Sequence, residues 1–249
     1  MKRRDAKVLA ISAGLSVVVV AAIVYSFIID RRPEGPAPGS SSSSWLTMTW
    51  GPSLCMVEAK NAGCKSGHVG KMGQSLVLHG LWPQPSTEQY CGVPVRGADR
   101  RSVDLPDGVR NTLQDMMSDE TTMAPHEWYA HGTCSGVTPP EYFGVATTLA
   151  TQVRSLLDPV FVNAKGDQLS PRALQESLDA AFGGRAGNRI GLTCRDVDGQ
   201  SIVYEIHLSL PSVVDLLADQ KADNTLALGD SLAKGPEIPP GCGQGRVPG

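Results

Sequence analysis

All six cysteines of this 249-residue chain, Cys55, Cys64, Cys91, Cys134, Cys194 and Cys242, lie beyond residue 54, and none belongs to a C-x-x-C pair. An even set with long, irregular spacings reads as three disulfides rather than a zinc site, so the chain must fold as a cross-linked domain in an oxidising compartment. Many pairings are open to six cysteines, and spacing alone does not choose among them.

The residues before the first cysteine suggest how that compartment is reached. Val8–Ile29 is a run of 22 uncharged residues, enough helix to span roughly 33 Å, the thickness of a bilayer's hydrocarbon core. A signal-peptide core is shorter, and Tyr25, Phe27, Ile28 and Ile29 crowd the end where small residues would mark a cleavage site. The run is therefore expected to be an uncleaved transmembrane anchor; cleavage would make the domain secreted. Lys2, Arg3, Arg4 and Lys7 outnumber Arg31 and Arg32, which places residues 1–29 as a cytoplasmic basic stub with its anchor, and everything after Asp30 on the outer face of a single-pass cell-membrane protein. Residues 30–44, rich in Pro, Gly and Ser, are expected to form a flexible linker, with one folded domain over 45–249.

Charge divides at the same place. The chain carries 22 basic and 25 acidic residues; six basic and three acidic ones fall in the first 44 residues, leaving the domain near −6. A protein that holds nucleic acid by its overall field is thereby disfavoured, and any nucleic-acid chemistry has to be local.

Within the domain, Trp45–Trp50, Ser75–His79 and the alternating run Ile202–Leu210 predict strands. Helices are expected over Val109–Met117, over Glu141–Leu157 after the Pro139-Pro140 start, and over Pro171–Phe182 between an N-cap Ser170 and a stop at Gly183. Strands and helices do not alternate regularly, so the fold class is α+β. No Gly-rich phosphate loop is present.

Three of the five histidines fall in two aromatic-flanked segments, 75–83 around His79 and 126–134 around His126 and His131. His68, in a Gly-rich stretch, and His207, on the polar side of a strand, require no function. His126-Glu127 resembles the start of a zinc-protease H-E-x-x-H motif, but His126 and His131 are five residues apart, about 140° off one helical face. Without a metal, two histidines and a carboxylate suit concerted acid–base work near neutral pH. RNA is a fitting substrate, because its own 2′-OH is the nucleophile. Trp82, Trp128 and Tyr129 are candidates either for packing or for stacking a base. An imidazole pair sharing acid and base roles predicts a bell-shaped pH profile, highest at mildly acid to neutral pH.

The segments LVLHGLWPQ (76–84) and HEWYAHGTC (126–134) resemble the two active-site segments of the ribonuclease T2 family, and the likeness extends over nearly all of 45–242. It implies an α+β fold with a central antiparallel sheet flanked by helices and stapled by disulfides Cys55–Cys64, Cys91–Cys134 and Cys194–Cys242. It also implies an endoribonuclease that cleaves single-stranded RNA through a 2′,3′-cyclic phosphate to a 3′-phosphate, with no metal or cofactor. Apart from the resemblance, no protein partner is expected, and the domain is expected to act as a monomer. By position His131 is the base, His79 the acid and Glu127 the stabiliser of the phosphorane, with His126 binding phosphate and Trp82 and Gln84 at a base site. Two positions depart from the family pattern. Ala130 stands where a lysine is usual, which leaves as an alternative a catalytically weakened RNA-binding or toxin-like surface protein. Gln84 stands where an acidic residue is common.

Overall fold

Strand β1 (Ser43–Trp50) alternates Leu46, Met48 and Trp50, all fully buried, with Trp45, Thr47 and Thr49 on the opposite face. The computed structural model describes residues 37–249 except 86, 96 and 98–100. The expected membrane span, and the linker before residue 37, lie outside the described residues. Strand β1 begins two residues before the boundary expected from composition, because the serines ahead of Trp45 are not solvated: Ser44 Oγ donates to Pro211 O at 2.7 Å, Ser41 Oγ donates to Gln84 O, and Gly39 N donates to Cys134 O at 2.8 Å.

The remaining elements follow as α1 (Gly51–Val57), α2 (Ala62–Lys65), α3 (His68–Met72), β2 (Leu76–Gln84), α4 (Asp107–Met116), α5 (Glu120–Ala130), α6 (Pro139–Asn163), β3 (Gln168–Leu169), α7 (Pro171–Phe182), β4 (Ile190–Val197), β5 (Gln200–Pro211), α8 (Val213–Asp223), α9 (Leu228–Lys234) and β6 (Gly245–Arg246). The α+β class is as expected. Four strands in the order β2-β1-β5-β4 are antiparallel throughout, and β6 joins β5 in parallel at Ile202–Arg246.

One face of the sheet packs on α6. Leu46, Met48, Leu78, Leu81, Ile206 and Leu208 meet Phe143, Leu149, Val153 and Phe161 in one buried cluster, and Trp50 stacks on Phe161 at 4.8 Å. Helix α6 starts at Pro139 under a capping box from Thr138 and Glu141. It runs past the expected end at Leu157 because Phe161 continues the buried stripe. Helix α7 has the expected bounds, set by Pro171 at its start and by Gly183 with φ +65° at its end.

The other face carries the chemistry, and two β-bulges shape it. In the β1–β2 ladder Thr47 pairs with Gly80 and Met48 with Leu78, leaving His79 as the extra residue. The bulge resets the alternation, so Leu81 points into the core while His79 and Trp82 share the outer face. A second bulge, at Tyr204 in β5, does the same for Glu205. Disulfides Cys55–Cys64, Cys91–Cys134 and Cys194–Cys242 close. Cys91–Cys134, spanning 43 residues, ties the chain after β2 to the end of the second histidine segment, a constraint worth about 3–4 kcal/mol for a loop of that length.

Candidate active site

Strand β2 and helix α5 face each other and bring His79, Trp82, His126, Glu127 and His131 into one cluster. Glu127 is completely buried, and its Oε2 accepts a hydrogen bond from Trp82 Nε1 at 2.8 Å. Gly80 makes that approach possible: a β-carbon there would lie 1.8 Å from Glu127 Oε2 and 2.8 Å from Trp82 Nε1. Gly80→Ala must therefore push the carboxylate out of place, and is expected to destabilise the domain by about 1–3 kcal/mol, as overpacking does. Chemical denaturation would detect this, and unchanged stability would show that the close contact is not maintained.

The other carboxylate oxygen, Glu127 Oε1, is buried without a hydrogen-bond partner among the described residues. It faces His79 Nε2 at 3.6 Å and His126 Nε2 at 3.9 Å. Burial pushes the Glu127 carboxyl up, against the pull of His79, the Trp82 hydrogen bond and His126.

Trp82 lies between the two catalytic candidates, its ring stacked on His131 at 5.1 Å and edge-on to His79 at 5.0 Å. The environments of these imidazoles push their proton affinities in opposite directions. For His131, burial together with the charges of His126 and His79 lowers the pKa to about 3. For His79, burial works against the charge, but the hydrogen bond to Glu205 and the negative charges of Glu127 and Glu205 outweigh it and raise the pKa to about 9. Such a split between neighbouring groups suits paired acid–base chemistry, with His131 fitted to accept a proton and His79 to give one.

Sequence reasoning missed Glu205. This residue, 5% exposed, accepts from His79 Nδ1 at 2.8 Å and from the Thr49 hydroxyl at 3.1 Å on one oxygen, and from His207 Nε2 at 2.8 Å on the other. Burial disfavours its charge, yet the bonds from His207 and His79 hold its pKa at about 2. An ionised Glu205 can only accept, so the His79 Nδ1 carries a proton and the exchangeable one sits on Nε2, facing Glu127. His207, read from the sequence as needing no role, is thus part of the support behind His79. The available signal was Glu205 and His207, two polar side chains two residues apart on one face of a strand whose other face is apolar.

His126 and His131 come closer together than a continuous helix would place them. Helix α5 ends at Ala130, and His131 leaves it with φ −121° and ψ −49°, so the 140° offset of a continuous helix does not apply. One ligand atom from each of His126, Glu127 and His131 falls within 4.8 Å of the others, a set able to hold a metal ion. Trp128 and Tyr129 serve packing: Trp128 lies edge-on to Tyr142, and the Tyr129 hydroxyl bonds Ser102 O. Gln84 ends β2, its side-chain amide 3.5 Å from Trp82 O. His68 Nε2 bonds Gln114 O at 2.8 Å, a structural contact. Ala130, at 2% exposure, points away from solvent, and the basic side chains that face Glu127 among the described residues are the imidazoles of His79 and His126.

Ribonuclease MC of Momordica charantia is 26% identical to this chain over 173 residues, covering 67% of it and 86% of that protein. Ribonuclease 1 of Arabidopsis thaliana is 26% identical over 194 residues, covering 70% and 80%. Among solved structures, ribonuclease MC1 from the seeds of bitter gourd superposes with a TM-score of 0.52 at 24% identity, over 68% of this chain and 89% of that one. RNase NT in complex with 5′-AMP gives 0.51 at 16% identity, over 84% and 98%. These structures share the fold. The model of the ribonuclease T2 family matches residues 42–225, a span that contains β1, β2, α5 and β5 and so every strand and helix that supplies His79, Glu127, His131 and Glu205: the chain belongs to the ribonuclease T2 family.

Proposed function

We propose that the protein is an endoribonuclease that cleaves single-stranded RNA by transphosphorylation. The observation that carries this reading is the opposite tuning of His79 and His131 on either side of Trp82, with the buried Glu127 beside them. Neutral His131 takes the 2′-OH proton as O2′ attacks phosphorus. His79 gives its Nε2 proton to O5′ as the P–O5′ bond breaks, leaving a 2′,3′-cyclic phosphate. In the second step the roles reverse: His79 takes a proton from water, the water oxygen attacks phosphorus, and His131 protonates the departing O2′ to give a 3′-phosphate. The relatives are named as ribonucleases, which supports the same reading.

Protein incubated with single-stranded RNA in the presence of a chelator is expected to yield cyclic-phosphate ends first and 3′-phosphates later, at the rate seen without chelator. RNA bound without turnover would favour the alternative, a binding protein weakened by Ala130, and activity abolished by chelator would point to a metal held by His126, Glu127 and His131.

The pH profile follows from the two imidazoles. Activity needs His131 neutral, so kcat/KM rises as pH climbs through about 3. It also needs His79 charged, so kcat/KM falls as pH climbs through about 9. The profile is then a broad plateau between these limbs, wider than the mildly acid optimum that unperturbed imidazoles predict. Glu205→Gln removes a charge that holds the His79 proton, so its alkaline limb moves down from 9 toward 6.5, with activity lost at pH 8 and retained at pH 5. Unmoved limbs would exclude Glu205 from this role.

We further propose that the domain works as a monomer outside the cell membrane, anchored through residues 8–29. The charge-free length of that segment, the basic residues before it and the three disulfides after it support this placement.

A further inference from the structure

Beyond Trp82, on the same outer face of the sheet, lies a cavity of about 220 Å³ that the chemistry described above does not use. Trp45 forms one wall and is the cross-strand partner of Trp82 in the β1–β2 ladder. His207 stands between the two indoles, with its ring 5.0 Å from Trp45 and 5.8 Å from Trp82. Thr193 from β4 contributes to the floor, and Ile238 and Pro239 form the far wall.

This far wall is held in place. Cys242 is joined to Cys194 of β4, Leu192 N donates to Pro240 O at 2.8 Å, Cys242 N donates to Leu192 O at 2.9 Å, and Ile238 N donates to Asn188 O at 3.0 Å. The cavity is therefore preformed, apart from side-chain adjustment. Its lining includes no Lys, Arg, Asp or Glu, so it offers a planar aromatic wall and apolar surface to a ligand, with Thr193 and His207 as its polar side chains and no fixed charge of Lys or Arg to attract a phosphate. By contrast, the larger cavity of about 510 Å³ is lined by Asp115, Asp119 and Glu120, which disfavour a polyanion.

We propose that this cavity is an additional nucleobase subsite, which takes one further base of the same RNA strand against Trp45. The inference rests on the ribonuclease reading, and it deepens that reading by making the enzyme sensitive to substrate length. Trp82 touches both imidazoles and His207 links the cavity to Trp82, so a nucleotide next to the cleaved pair can reach Trp45, and extension of the substrate at each end reads which one does. Stacking on Trp45 is open to any base.

The test compares kcat/KM of the full-length protein on a dinucleoside monophosphate with that on two trinucleotides, one carrying an extra 5′ nucleotide and one an extra 3′ nucleotide. Wild-type protein is expected to cleave one of the two trinucleotides about 10-fold better, as one stacked base allows. Trp45→Ala loses that gain while keeping dinucleotide cleavage, and Trp45→Phe retains most of it. Thr193→Leu fills the floor from a half-exposed strand position and loses the gain without altering Trp45, which keeps the test decisive should Trp45→Ala fold poorly. Dinucleotide cleavage with no gain from either extension, or a gain that survives both Trp45→Ala and Thr193→Leu, would overturn the subsite and leave the ribonuclease reading standing. No cleavage of either substrate by wild-type protein would overturn the reading itself and the subsite with it.

Discussion

Replacing His131 by alanine is expected to lower RNA cleavage about 10³-fold, within the range of 10²–10⁴ for loss of one positioned acid or base. His79→Ala is expected to do the same, and the double variant to fall little further, because the two residues act on one transferred proton pair and their effects are not additive. The large loss follows from how each imidazole is prepared. A neutral His131 is secured chiefly by burial, with His126 and His79 beside it, so no solvent group replaces it as base. His79 is charged at neutral pH chiefly through its hydrogen bond to Glu205, and water cannot match it as acid toward O5′. Circular dichroism and intact disulfides would separate loss of chemistry from loss of fold, and undiminished cleavage by the double variant would remove the proposed mechanism.

The second large effect belongs to Glu127, and its size depends on the substitution. Burial raises its carboxyl, and its Oε1 has no donor among the described residues. An anionic phosphate makes the charged carboxylate less favourable still, and a proton taken up at Oε1 as phosphate binds can then be donated to a non-bridging oxygen as charge builds in the phosphorane. Glu127→Ala removes this donor and should lower kcat about 10²–10³-fold, the usual loss of one transition-state stabiliser. Glu127→Gln keeps a donor at nearly the same place and should lose roughly tenfold or less. Equal losses in the two variants would show that negative charge, and not donation, is what the site requires.

Much of this site was legible because its two segments are short and local. In 76–84 and 126–134 the histidines, Glu127 and Trp82 lie within a few residues of one another, so their joint appearance carried the chemistry. The bounds of α7 were equally readable, since Pro171 and Gly183 act through their own backbone preferences. Glu205 was not readable, because its meaning depends on a partner 126 residues away and on a bulge that puts it beside His79. The misjudged geometry of His126 and His131 has a local cause: helical periodicity was extended one residue past the end of α5, and the last backbone step turned the ring toward its neighbours. Likewise α6 outran its expected end at Leu157, because Phe161 gains its burial from the sheet and not from its own sequence neighbours.

The place of β1 in the sheet has a consequence in time. This strand, near the start of the described chain, is flanked by β2 and by β5, which begins only at Gln200. Chain closure over such a distance is slow compared with forming a helix or a hairpin. Until β5 has been synthesised and has docked, His79 lacks the carboxylate that keeps it charged, and the outer face of the sheet is only half built. Catalytic competence is therefore among the last properties the polypeptide acquires as it folds, and a nascent or truncated chain that already contains both histidine segments remains a poor nuclease.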